Sequence, residues 1–236
     1  MDLSGAVIAV FGAGHGIGAE AAAMLRARGA TVYASALGGE KKVSATEVTS
    51  VDVRDAAAVE TFLLAVLALE GKLDAVINSA GIAGELQPLD QVSEEDFDAI
   101  MRTNLYGTFH VLKSAAALLK NIGKGSIITV SSRAGHRSHP TLVAYSASKA
   151  ATLSLSQGMA KELAEAGSDV LCCTVSPGGV DTRMRKELFG KEDSEKQQKP
   201  EIVADVILNI LTGDLVVPQG GDVIVSKGTA EVKEPA

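Results

Sequence analysis

The sequence carries no excess of positive charge: 22 lysines and arginines stand against 29 aspartates and glutamates, for a net charge of -7. Recognition of a nucleic-acid backbone needs a broad basic surface, so nucleic acid is not expected as a partner and small molecules are. The opening residues, MDLSGAVIAVFG, lack a basic leader and turn to glycines before any long apolar run. That fits neither a secretory signal nor a membrane helix, and the expectation is a cytoplasmic protein with no membrane partner. Cysteine is scarce too. The two present, Cys172 and Cys173, are adjacent in the apolar run DVLCCTV, where strand alternation sends their side chains to opposite faces. Packing explains them better than a disulfide, and no metal site is expected. No internal repeat, low-complexity block or linker divides the 236 residues, so residues 1–236 read as one domain. With 46% apolar residues it can bury one sizeable core.

What the sequence does contain is alternation of short β-branched runs with longer segments of helical period. The strands are AVIAVF, TVYAS, VTSVDV, DAVIN, GSIITVS, DVLCCTV and DVIVS. This order predicts parallel strands joined by crossover helices. Apolar residues fill nearly every place in these runs, so helices should cover both faces of the sheet. The expected architecture is a single-domain, doubly wound Rossmann fold with a seven-stranded parallel sheet. Between the strands, GAEAAAMLRARG stops at Gly29, and SEEDFDAIMRTNLYGTFHVLKSAAALLK opens on Ser93 followed by acids suited to a helix start. The charged tail AEVKEPA is expected to fray. In open sheets of this kind ligands bind beyond the carboxyl ends of the strands, so the residues that follow each strand matter most.

After the first strand stands FGAGHGIG. Two registers are available: Gly14-x-Gly16-x-x-Ala19, or Gly12-x-x-x-Gly16-x-Gly18 with Gly14 as an addition. The apolar strand stops at Phe11, which makes Gly12 the turning residue and favours the second. In either register, glycines let the backbone approach a pyrophosphate while a helix N-terminus presents free N–H groups to it. A tight strand-to-helix turn also uses glycine for geometry alone; its position after the first strand favours a ligand. At the end of the second strand an acid would accept hydrogen bonds from a ribose 2′-hydroxyl and disfavour a 2′-phosphate. Ser35, Ala36 and Leu37 stand there instead. His15, in the glycine turn, and the nearby Lys41 and Lys42 offer hydrogen bonds or charge to a phosphate. NADP is therefore the expected cofactor, with NAD the alternative.

Tyr145 and Lys149, in YSASK, are four residues apart on one helical face. A phenol is a poor acid or base near neutrality, and an ammonium alongside is expected to lower its pKa into a useful range. Tyr-x-x-x-Lys alone is common and usually without function. Here it follows the strand GSIITV, which ends in Ser131 and Ser132, and it accompanies NSAG at 78–81, Asn104 in the next helix and PGGVDT at 177–182.

This ordered set resembles the short-chain dehydrogenase/reductase family, and the resemblance spans essentially the whole chain. It implies cofactor binding by Gly12, Gly16 and Gly18, with Ile17 between the last two, and an adenine bordered by Asp52 and Val53. Asn78, Ala80 and Gly81 match the family's Asn-Asn-Ala-Gly segment, with Ser79 replacing the second Asn. Asn104, Ser132, Tyr145 and Lys149 match its catalytic tetrad, Ser132 being preferred to Ser131 by its spacing to Tyr145. Pro177, Gly178, Val180 and Thr182 fall in the segment that holds the nicotinamide carboxamide. Phe11 replaces the family's usual Thr and is expected simply to pack. The implied reaction is hydride transfer between nicotinamide and a substrate carbon. Tyr145 handles the proton, Ser132 bonds the substrate oxygen, Lys149 holds the ribose and lowers the Tyr145 pKa, and Asn104 supports a water relay. The helices carrying Asn104 and Tyr145 are those the family uses for homodimer and homotetramer contacts.

The substrate is expected to be a small carbonyl or alcohol. RAGHRSHP after Ser132 and DTRMRK after the sixth strand concentrate basic residues in an acidic protein. Arg137 and Arg183 are candidates to clamp an anionic substrate group, because guanidinium matches carboxylate and phosphate geometry; solvated loop charge is the plain alternative. The segment between Thr182 and Pro200 is short for the family's substrate cover. The function expected is NADPH-dependent reduction of a small ketone or keto acid derivative. The alternatives are NAD-dependent alcohol oxidation, or a nucleotide sensor without turnover, which would need the glycine turn but not Ser132, Tyr145 and Lys149.

Overall fold

The computed structural model describes residues 1–38 and 48–235; Lys41 and Lys42 lie outside them. In chain order the sheet comprises β1 (Val7–Phe11), β2 (Thr31–Ala36), β3 (Val48–Ser50), β4 (Ala75–Asn78), β5 (Lys124–Val130), β6 (Asp169–Pro177), β7 (Asp222–Ser226) and β8 (Thr229–Lys233). Their spatial order is β3-β2-β1-β4-β5-β6-β7-β8. The first seven strands pair in parallel, with Ile8 opposite both Val32 and Ala75. From β1 the chain moves outward to β2 and β3, then returns to place β4 on the other side of β1. A crevice opens where the order reverses, at the carboxyl ends of β1 and β4.

Alternation along the strands supplies two cores. Ile8, Val10, Ile77 and Cys173 face one side, where they meet Leu25 of α1 (Gly16–Ala27) and Val203 and Ile207 of α8 (Pro200–Thr212). Ala9, Phe11, Val76 and Cys172 face the other. There they meet Leu63 of α2 (Ala56–Glu70), Leu112 of α4 (Gly107–Ile122) and Leu163 of α5 (Val143–Glu165). The adjacent cysteines thus serve opposite cores, and burial pushes the Cys172 thiol up to about 12. Phe11 is fully buried against Phe62, with ring centroids 5.2 Å apart and edge to face, so it packs as expected.

Two expectations need correction. The tail does not fray: residues 229–233 form β8, antiparallel to β7. A two-residue turn with positive φ at both Lys227 (52°) and Gly228 (78°) makes the hairpin, the geometry whose twist suits antiparallel strands, and Val232 packs onto the first core. The sheet therefore has eight strands, with one antiparallel edge. The long helix expected from Ser93 is interrupted: α3 (Glu94–Met101) passes through a π turn at Arg102–Tyr106 before α4.

Among the described residues no helix is long and apolar enough to cross a membrane, and no group of three or more His, Cys, Asp or Glu is placed to hold a metal. Removing the ring in Phe11→Ala should cost about 3–5 kcal/mol of folding stability, as expected for a large buried aromatic. Denaturant melts of both proteins measure it; a loss below 1 kcal/mol, on the order of a surface change, would refute the packing role.

Candidate active site

At the switch point the backbone of β1 runs into space too tight for side chains. A Cβ on Gly12, where φ is 74°, would lie 2.5 Å from the Ala80 backbone nitrogen, and one on Gly18 would lie 2.4 Å from the Gly12 carbonyl oxygen. Gly16 also has positive φ, 62°. Gly14 does not, and a Cβ there would meet the Ala36 side chain at 3.0 Å. The helix that follows starts bare. His15 is its N-cap, in extended conformation, and provides no side-chain hydrogen bond; no acid occupies the first turn. By contrast, Asp55 caps α2, Ser93 caps α3 and Thr182 caps α6 (Arg183–Phe189). Among the described residues no side chain caps the α1 N–H groups, which stand at the edge of a cleft of about 630 Å³, lined there by Gly12, Gly14, His15, Gly16 and Ile17, the arrangement that receives anions.

The end of β2 departs from expectation. Ser35 is fully buried, and its hydroxyl has no hydrogen-bond partner among the described residues. Strand alternation points it away from the cleft; what it supplies is its carbonyl, which accepts from Ala13 N at 2.9 Å. Ala36 and Leu37 line the cleft instead. Beside them, Arg54 grips the Asp52 carboxylate with Nε 2.9 Å from both oxygens and Nη2 2.6 Å from one. That pairing holds the Asp52 carboxyl below its usual range. Arg54 and Val53 both line the cleft.

Asn78 and Asn104 stand behind the wall and shape it. Asn78 Nδ2 donates to Thr108 Oγ1 at 3.1 Å, and its Oδ1 accepts from Ala80 N at 3.2 Å. Asn104 sits in the π turn and is fully buried. Its Oδ1 accepts from Ile82 N at 2.8 Å, while Nδ2 donates to Ile82 O at 2.8 Å and Ser148 Oγ at 2.9 Å. Together they hold the segment of Ser79, Ala80 and Gly81 against the cleft.

Ser132, Tyr145 and Lys149 converge on the cleft. Ser132 Oγ accepts from Ala134 N at 3.1 Å, and Ser132 stands near enough to the Tyr145 phenol to act on its pKa. Lys149 Nζ donates to Val130 O at 2.9 Å and lies 5.9 Å from the Tyr145 ring centroid. The lowering of the phenol by Lys149 expected from their spacing is not found. Burial holds Tyr145 above its ordinary value, partly offset by the neighbouring Ser132, and the ammonium is turned to a carbonyl. Burial brings Lys149 itself down to about 8.

The third wall follows β6. Pro177, Gly178, Val180 and Thr182 line it; Gly178 N donates to Val225 O at 2.8 Å, and Val180 bridges to Gln198. Asp181 fastens the covering helices: its carboxylate lies 2.7 Å from Lys199 Nζ, accepts from Ser194 Oγ at 2.7 Å and lies 3.2 Å from Lys186 Nζ. These partners hold its carboxyl far below the carboxylate range.

Of the two candidate clamps, only Arg137 lines the cleft, and its guanidinium has no partner among the described residues. Arg183 is corrected: it lies outside the cleft, exposed, in an ion pair of 2.6 Å with Glu187 one turn along. Arg185 takes the place on the wall, lying 3.8 Å over the Phe189 ring and paired with Asp193 at 2.6 Å. The i,i+4 acid beside Arg183 was the signal in the sequence that its charge was already spent.

A doubly wound sheet with an uncapped helix at its switch point, sharing one cleft with a serine–tyrosine pair and a buried lysine, defines a nicotinamide-dependent oxidoreductase. The family model for short chain dehydrogenase matches residues 6–193, and the chain belongs to the short-chain dehydrogenase/reductase family as an NAD(P)-dependent enzyme. It is 38% identical, over 93% of its own length and 87% of the other's, to a 2,3-dihydro-2,3-dihydroxybenzoate dehydrogenase of Escherichia coli K12. Its fold matches that of a 3-ketoacyl-(acyl-carrier-protein) reductase from Brucella melitensis complexed with NADH, with a TM-score of 0.85, 26% identity and coverage of 94% and 97% of the two chains. A chain from Shigella flexneri complexed with NADP matches with a TM-score of 0.81, 26% identity and coverage of 89% and 92%.

Because the Lys149 pKa is about 8 when folded and near 10.4 when unfolded, the unfolded chain binds more protons between these values. Stability contributed at this position therefore rises with pH across that window. Relative to Lys149→Met, the wild type should gain roughly 3 kcal/mol between pH 7 and pH 10.5, measured by paired denaturant melts; a pH-independent difference would contradict the burial of a charged lysine.

Proposed function

We propose that the protein interconverts a carbonyl and a secondary alcohol, acting as an NADPH-dependent reductase of a small ketone or keto acid derivative. The observation that carries this reading is the convergence of Ser132, Tyr145 and Lys149 on the cleft that the bare α1 N-terminus opens onto. The residues present fit a dinucleotide. Uncapped N–H groups without a competing acid suit its pyrophosphate, Asp52 and Val53 would border the adenine, and Lys149 would hold the nicotinamide ribose. Ala80, Gly81, Val180 and Thr182 would flank the nicotinamide. The absence of a carboxylate at Ala36 and Leu37, with His15 exposed in the turn, supports the 2′-phosphorylated form.

When bound, the nicotinamide supplies the hydride. Tyr145 donates a proton to the substrate oxygen in reduction and removes it in oxidation, while Ser132 hydrogen-bonds the same oxygen and stabilises the charge developing there. Asn104 acts by holding Ile82 and Ser148, and so the wall and the helix that carries Tyr145. Arg137, the cleft guanidinium without a partner, would receive a substrate carboxylate. Alcohol oxidation is the second reading, favoured by the relative named for a dihydrodiol carboxylate. The exposed Tyr106 and Phe109 of the π turn and α4 support a homodimer or homotetramer.

The test is a matrix of NADH and NADPH against small ketones, keto acids and the corresponding alcohols, read at the reduced-nicotinamide absorbance. Tyr145→Phe should lower kcat by about two to four orders of magnitude with the dinucleotide Kd little changed; wild-type turnover in that variant would sink the assignment. Arg137→Gln should raise KM for acidic substrates about tenfold or more, while Arg183→Gln leaves it unchanged. Equal KM values for wild type and Arg137→Gln would dispose of the clamp.

A further inference from the structure

The segment after Ser132 is held by a buried carboxylate that the proposed chemistry does not use. Asp222, the first residue of β7, is 2% exposed. Its Oδ1 accepts from Thr174 Oγ1 at 2.5 Å and Ser176 Oγ at 2.9 Å, two side chains that share a face of β6. Its Oδ2 lies 2.7 Å from His136 Nε2. A carboxylate this deeply buried is costly unless its lone pairs are met. Two of the three groups that meet them belong to the sheet; the third belongs to the loop of the active site.

We propose that His136, bonded to Asp222, is a positioning residue that fixes the turn beginning at Ser132 and the direction in which Arg137 enters the cleft. The inference rests on the reading of Ser132 as the group that bonds the substrate oxygen. The turn is one small hydrogen-bonded unit: Gly135 N donates to Ser132 O at 2.9 Å, and His136 N and Arg137 N both donate to Arg133 O, at 3.1 and 3.0 Å. Ser132 Oγ is part of it through Ala134 N. On one side the turn lies flat on α5, where a Cβ on Gly135 would come within 2.8 Å of the Lys149 carbonyl carbon. On the other it is tied to β7 twice, by His136 to Asp222 and by Arg133 Nη1 to Ser226 Oγ at 2.9 Å. With hydrogen on Nε2 the imidazole donates to the carboxylate, and the tie serves as an anchor for the turn. Losing it leaves a buried acceptor short of a partner and the turn tied to β7 through Arg133 alone.

Hydrogen exchange on the full chain tests the anchor without a substrate. In His136→Ala the amides of residues 135–137 should exchange about tenfold faster, with α5 and the central strands unchanged. His136→Gln, whose amide Nε2 can replace the imidazole donor, should restore protection. In the oxidoreductase assay His136→Ala should lower kcat about tenfold with the dinucleotide Kd unchanged, since a small misplacement of a reacting group is enough to do so; His136→Gln should recover most of it. Unchanged exchange in His136→Ala overturns the proposal, as does a uniform loss of protection across the sheet that Gln does not repair. An inactive wild type or an active Tyr145→Phe would defeat the reading of the site, while the exchange measurement would still decide the anchor.

Discussion

The close approach of two backbones at Gly12 governs this structure. Where β1 ends, the chain passes the Ala80 segment with no room for even a methyl group, and Gly18 closes the same contact from the helix by resting on the Gly12 carbonyl. Only because these positions lack Cβ atoms can α1 begin directly beneath the carboxyl edge of β1 and β4. That placement brings its uncapped N–H groups to the crevice created by the reversal of strand order. The parallel sheet supplies the crevice; the glycines let a helix end reach it.

The same segment is gripped from the far side. Ser79 N donates to Phe11 O at 2.9 Å, Asn78 holds Ala80, and Asn104 returns both hydrogen bonds of the Ile82 backbone. Asn104 reaches Ile82 from within a π turn, a wider coil found mostly as single turns at functional sites. A side chain facing inward among three polar partners replaces the regular packing of one helical turn. The bonds to Ile82 and to Ser148 make α4, α5 and the cleft wall one unit, so the distance from the glycine turn to Tyr145 depends on Asn104 although it never faces the cleft.

Much of this was legible in the sequence because parallel strands buried on both faces read as unbroken apolar runs, and all seven runs became strands. The glycine turn, the grouping of Ser132, Tyr145 and Lys149, and the segment of Pro177 to Thr182 were legible by their order as parts of one cleft. What escaped depended on single-residue register or on contacts remote in sequence. Ser35 and Ala36 differ by one place in β2, and alternation decides which faces the cleft. Arg183 and Arg185 differ by two places in α6, and the pairing with Glu187 removes the first. β8 was hidden because its residues are mostly exposed and two of the five are charged, and its turn uses Lys227 at a positive φ usually left to Gly, Asn or Asp. The π turn has no signature in RTNLY at all; it follows from where Asn104 must bond.

Tyr145 and Lys149 show why spacing along a helix does not by itself fix chemistry. Four residues apart, they share a face, but the lysine stem is long enough to carry its ammonium past the ring to the Val130 carbonyl. Enclosure then acts on each alone, raising the phenol and lowering the ammonium; both shifts favour the uncharged form. Near neutrality the phenol keeps its proton while a Lys149 with a pKa of about 8 still carries charge. A retained phenolic proton beside Ser132 is what an alkoxide forming from a carbonyl would need. Enclosure thus keeps the phenol protonated in the ligand-free site, and the neighbouring Ser132 partly offsets that effect.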